Sequence, residues 1–110
     1  MDSKTNKRKP RSDRTHYIYQ LVIRGQRYIG VTAKTASTAR KSIWARVNKH
    51  WYRAHTEHKN WLLCAALRDC ADRSEITVEI LAVIRGKAAA HCEEVRLRRA
   101  TAPELNTDVR

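Results

Sequence analysis

Residues 16–23, HYIYQLVI, form a β-branched and aromatic run. Arg24-Gly25-Gln26 interrupts it, and RYIGVT follows at 27–32. Two short apolar runs around a tight glycine-containing turn predict a β-hairpin. The next segment, AKTAST, is small and polar and offers several helix N-caps. Beyond it Ile43, Val47, Trp51 and Ala54 recur at helical spacing, flanked by Trp44, which predicts a helix over 38–54. Between Asn60 and Ala71, Trp61, Leu62, Cys64, Ala65, Ala66 and Leu67 supply the apolar surface of a second helix. ITVEILAVI at 76–84 is nearly continuous, β-branched and bounded by Arg85-Gly86, the pattern of a buried strand. The alanine-rich stretch from Ala88 to Ala100 ends at Ala102-Pro103, a helix stop. The order ββααβα predicts an α+β domain, with a small three-stranded mixed sheet flanked by helices.

Composition adds a partner class to this picture. The chain has 110 residues, enough for one modest core. Its 23 Lys and Arg against 11 Asp and Glu give a net charge of +12, which favours a polyanion such as nucleic acid. Residues 1–15 carry Lys4, Lys7, Arg8, Lys9, Arg11 and Arg14 against only Asp2 and Asp13, and have no large apolar residue after Met1. They read as a disordered basic arm on a domain spanning 16–110, one that adds affinity to a body already basic. No apolar run reaches membrane-spanning length and no signal-peptide core opens the chain, so a soluble, cytoplasmic protein without membrane contact is expected. Cys64, Cys70 and Cys92 include no CxxC pair, which suits reduced thiols.

Several side chains fall where chemistry is feasible. Tyr17, Tyr19 and Tyr28 all lie in the hairpin, and Tyr17 and Tyr19 share a strand face. Taken alone, strand propensity and cross-strand packing account for them better than catalysis does. Arg46 and His50, four apart, sit on one edge of the apolar stripe of helix 38–54, with Arg53 close by. A guanidinium and an imidazole there could grip a phosphate and move a proton; a snorkelling arginine and a surface histidine are the plain alternative. Arg40 falls inside the stripe, so either the helix starts later or Arg40 is partly buried with a partner. Glu93 and Glu94 lie about equally far from the apolar side of the last helix; one could hold a hard divalent cation, or both could pair with Arg96, Arg98 or Arg99. His50, His55, His58 and His91 match no zinc-ligand spacing. No Walker loop, GxGxxG or GxSxG occurs.

Taken in order, Tyr17-Ile18-Tyr19, Tyr28-Ile29-Gly30, Arg46 with His50, and Glu94 with Pro103 and Asn106 resemble the GIY-YIG nuclease family, including its small standalone, phage-type members. The likeness covers roughly residues 16–106. Tyr17 stands where the family usually has glycine, while the tyrosine of that motif is kept as Tyr19. The spacing from Glu94 to Asn106 selects Glu94 over Glu93. The resemblance implies Mg²⁺- or Mn²⁺-dependent hydrolysis of DNA phosphodiesters with low sequence specificity. Glu94 would hold the metal, Arg46 would stabilise the phosphoryl charge, and Tyr19 or His50 would act as general base. Tyr28 would orient water or phosphate, and Asn106 would tether the hairpin or the metal shell. One such site cuts one strand, so a duplex break needs a homodimer on DNA or two successive cuts. A different class, a basic nucleic-acid-binding module without turnover, is the alternative.

Overall fold

The computed structural model describes residues 14–57 and 61–106. Strand β1 (Thr15–Ile23) and strand β2 (Gln26–Ala33) form the hairpin. Its two-residue turn places Arg24 at φ 51° and Gly25 at φ 82°, the left-handed pair that matches strand twist. Helix α1 (Ala39–Thr56) is capped by the Thr38 hydroxyl, which accepts from the Lys41 N–H at 3.1 Å. Ser42, fully buried, takes the N–H groups of Thr35 and Ala36 on its Oγ and so fixes the entry of the chain into α1. Helix α2 (Leu62–Arg68), a short 3₁₀ turn (Arg73–Glu75), strand β3 (Ile76–Arg85) and helix α3 (Lys87–Thr101) follow. Ala102 closes α3 in the left-handed region, and a last 3₁₀ turn spans Glu104–Asn106.

The ββααβα order is the one expected, but the sheet is antiparallel throughout, not mixed, in the order β2-β1-β3. Helix length explains the difference. At about 1.5 Å per residue α1 re-crosses the sheet, whereas the seven residues of α2 turn the chain without crossing back. The chain therefore enters β3 beside Ile23, at the hairpin-turn end, and runs against β1.

Tyr17, Tyr19, Leu21 and Ile23 share one face of β1 and pack with Ile43, Val47, Ala54, Leu63 and Leu67 of the first two helices. Ile18 and Ile29 point to the other face and are fully buried, as is Ala90 of α3, which packs on the sheet strands. The expected stripe of α1 is buried at Ile43, Val47 and Ala54, while Trp51 is half-buried. Arg40, in the first turn, is exposed.

β3 departs from the buried strand the pattern predicts. Only Ile76 and Val78 are buried, and Val83 is 63% exposed. β3 is an edge strand, and the register shift beside Ile18/Tyr19 leaves Leu81 unpaired as a bulge. Of the basic arm, Arg14 and Thr15 belong to the fold, because the Arg14 and Thr15 carbonyls accept from Gly86 and Lys34; residues 1–13 lie outside the described residues. All three cysteines are free thiols. No helix among the described residues is long and apolar enough to cross a membrane.

Candidate active site

The centre of the site is a cross-strand pair. Tyr19 faces Gly30, and its ring lies over that glycine so closely that a Cβ there would sit 2.6 Å from the hydroxyl oxygen. Gly30 is thus a spatial requirement: it lets the phenol cross the edge strand toward Tyr28, whose ring centroid is 6.4 Å away. Tyr28 in turn meets the edge of the His50 ring at 6.0 Å. Arg46 lies one turn before His50 on α1, and its guanidinium is directed at the Tyr19 hydroxyl.

Glu94 arrives from α3. It is the only buried acid among the described residues. Its charge and that of Arg46 both reach the two phenols, Glu94 pushing their pKa values up and Arg46 pulling them down. The carboxylate on the last helix and the guanidinium on the first therefore both act electrostatically on the same pair of phenols. Glu93 does something else: it accepts from Arg96 Nε at 2.9 Å on the surface. Asn106 completes the arrangement from the last 3₁₀ turn. Its Oδ1 accepts from the Ile29 N–H at 2.7 Å and its Nδ2 donates to the Ile29 carbonyl at 2.9 Å, so it pairs the open edge of β2 like a one-residue strand. Arg27 secures that turn, its N–H donating to Glu104 Oε1 at 2.9 Å and its guanidinium to the Thr101 carbonyl at 3.0 Å.

Burial governs the protonation states. It raises the pKa of Tyr19 and Tyr28 above the usual phenol range, so both are protonated donors at neutral pH. His50, 5% exposed, is pushed down to about 4, first by burial and then by the charges of Arg46 and Arg53. It is neutral at pH 7, and its Nε2 is a buried nitrogen without a hydrogen-bond partner. The two oxygens of Glu94 lie 3.8 Å from His91 Nδ1 and 3.5 Å from Arg98 Nε, ion-pair distances too long for good hydrogen bonds.

All six sequence candidates, Tyr19, Tyr28, Arg46, His50, Glu94 and Asn106, come together around the β2 edge. Tyr17 does not join them and is part of the core. Among the described residues no three His, Cys, Asp or Glu side chains gather as a metal cage. Sequence reasoning missed the surroundings. An open cleft of about 500 Å³ at the end of β2 is lined by His16, Thr32, Arg46, Lys49, Lys87 and His91, among others, from both flanking helices. The helical spacing of Arg46 with Lys49 was the available signal for one wall; nothing in the sequence joins Lys87 to them. Comparison of the chain with protein-family models, with curated proteins and with solved structures finds no match.

Proposed function

We propose that the chain is a divalent-metal-dependent DNA endonuclease of the GIY-YIG kind. The observation that carries the reading is the convergence of a buried carboxylate, a guanidinium, two protonated phenols and a neutral imidazole beside a basic cleft. Phosphodiester hydrolysis joins a water oxygen to phosphorus, breaks the bond to the leaving oxygen, passes one proton from the water to a base and delivers one proton to the leaving oxygen. It builds negative charge on the phosphoryl oxygens, where preorganised donors act most strongly. Arg46 and the Tyr19 and Tyr28 hydroxyls are such donors. His50 is neutral and its Nε2 has no hydrogen-bond partner, which favours the imidazole over Tyr19 as the proton acceptor.

Glu94 fits a hard cation. Its residue is largely buried and its oxygens are held only by loose ion pairs, and Mg²⁺ commonly takes one or two carboxylates with phosphate and water oxygens completing its shell. A bound Mg²⁺ would supply Lewis-acid stabilisation of the phosphoryl group. Asn106 holds the β2 edge and so positions Tyr28 and Gly30.

Supercoiled plasmid with Mg²⁺ tests the reading. Wild type and Glu93→Ala should nick it, and Glu94→Ala should lose nicking by at least about 100-fold, the scale of a lost transition-state charge interaction. Equal activity in all three refutes it. The second reading, a nucleic-acid-binding module without turnover, draws on Arg98, whose guanidinium already lies at ion-pair distance from Glu94. It requires that Mn²⁺ binding be absent and unaffected by Glu94→Gln.

A further inference from the structure

We infer that the pocket between the end of α3 and the last 3₁₀ turn is a second phosphate site, with Arg98 and Arg99 as its cations; the inference rests on the nuclease reading and extends it to the path of the bound strand. The pocket encloses about 390 Å³ and is lined by Val95, Arg98, Arg99, Ala102, Pro103 and Asn106. Arg98 Nε is buried and has no hydrogen-bond partner among the described residues. Glu94 Oε2, 3.5 Å away, does not serve as one. A buried N–H without a hydrogen-bond acceptor is costly, and a phosphate oxygen reaching it from the pocket would remove that cost.

Both arginines lie in the last turn of α3, where cations complement the partial negative charge of a helix end. That role alone explains neither the unbonded nitrogen nor the cavity, since a helix-end arginine extends into solvent. The wall residues also connect the pocket to the site, because Arg98 faces Glu94 and Asn106 holds Ile29.

Helix geometry gives the two clefts a common axis. Lys87, His91, Glu94 and Arg98 fall within about 60° of one another around α3, on one stripe. The first two line the cleft at the end of β2, and Arg98 lines the pocket at the other end. From His91 to Arg98 the helix rises about 10 Å, with Glu94 between them. Cations thus stand on both sides of the one buried carboxylate. A polyanionic strand laid along α3 would place one phosphate at Glu94, a neighbour in the Lys87 and His91 cleft, and another at Arg98 and Arg99. This arrangement selects a substrate with a continuous backbone on both sides of the cut, not a terminal nucleotide.

The test is binding of a fluorescein-labelled 20-base-pair duplex, followed by anisotropy in EDTA between about 50 and 200 mM salt. Arg98→Gln and Arg99→Gln should each flatten the slope of log K against log salt by about 0.9, the value for one lost phosphate contact. Arg98→Lys should keep the slope. Arg73→Gln, which removes one charge bonded to Asn48 on α1 and lining neither pocket, should leave it unchanged. Slopes unaltered in both pocket variants, or equally altered in Arg73→Gln, overturn the assignment, as does absence of duplex binding by the wild type. If Arg98→Gln fails to fold, Arg99→Gln, on an exposed side chain, decides. Plasmid left uncut by a wild type whose pocket variants still flatten the slope would refute the nuclease and leave the phosphate site. Cleavage by wild type with unaltered slopes in the variants would do the reverse.

Discussion

Gly30→Ala perturbs the packing on which the site depends. The added Cβ would lie 2.6 Å from the Tyr19 hydroxyl oxygen, 2.7 Å from its Cζ and 2.9 Å from Tyr28 Cε2. Ordinary carbon contacts are about 3.5–4.0 Å, so three contacts are short by close to 1 Å. Tyr19 has little room to yield, because it is 1% exposed and packed within the α1/α2 core. The methyl group must therefore push the ring off its rotamer or separate β1 from β2. Overpacking of this kind costs about 1–3 kcal/mol, and each kcal/mol lowers the midpoint of a domain this size by roughly 4–8 °C. Urea denaturation measures the cost, and plasmid nicking measures the displaced hydroxyl. Tyr19→Phe removes the nearest atom but leaves Cζ, so the double variant should recover part of the loss, with a coupling of about 1 kcal/mol. A Gly30→Ala protein within about 0.5 kcal/mol of wild type would refute the packing argument. The same loss in the Tyr19→Phe background would refute the claim that the phenol is what the glycine accommodates.

The remaining predictions concern the supports of the site. His50 has a folded pKa of about 4 against about 6.5 when unfolded. The unfolded chain binds the extra proton first, so stability is full above pH 6.5 and falls by about 2–4 kcal/mol toward pH 4. His50→Gln should remove that slope from urea midpoints taken across the window, and an unchanged slope would contradict the depressed pKa. Asn106→Ala leaves the Ile29 N–H and carbonyl at the edge of β2 without their partners and should cost about 2–4 kcal/mol in the same assay; a neutral result would mean that water replaces the amide. Glu104→Ala should speed hydrogen exchange at the Arg27 amide while the Ile29 amide stays protected by Asn106. Equal acceleration at both would show that the turn moves as one unit.

The sequence disclosed the elements because their periodicities are local: strand alternation at 16–23, helical spacing from Ile43 to Ala54 and the stop at Ala102-Pro103 depend on near neighbours. It misjudged β3 because a run of Ile, Leu and Val is the same in a central strand and at an edge; only the pairing with β1 alone distinguishes them. The choice between Glu93 and Glu94 was open to periodicity for a similar reason. Adjacent positions differ by about 100° around the helix, and the side that faces the sheet is set by how α3 docks. Three of the five buried polar residues, His50, Glu94 and Asn106, are site candidates, so motif order located them where hydropathy could not. The cation-lined pockets were invisible because residues distant in sequence, such as Lys49 and Lys87, meet only after folding.

The placement of the acids accounts for the concentration of positive charge around this site. Glu75 pairs with Arg24 at the hairpin turn, Glu104 with Arg27 at the last 3₁₀ turn, and Glu93 with Arg96 on α3. Each pair is exposed and adds little stability by itself, but each neutralises an arginine away from the cleft or at a joint of the fold. Among the described residues no ion pair joins an acid to Arg46, Lys49, Lys87 or Arg99. The cations that line the two pockets on either side of Glu94 are therefore left largely without acid partners. A polyanion bound along that stretch meets a positive field that offsets the repulsion between phosphate and the buried carboxylate. Positive charge could hold a backbone anywhere on such a chain, but at this stretch it also meets the carboxylate, phenols and imidazole on which the proposed hydrolysis draws.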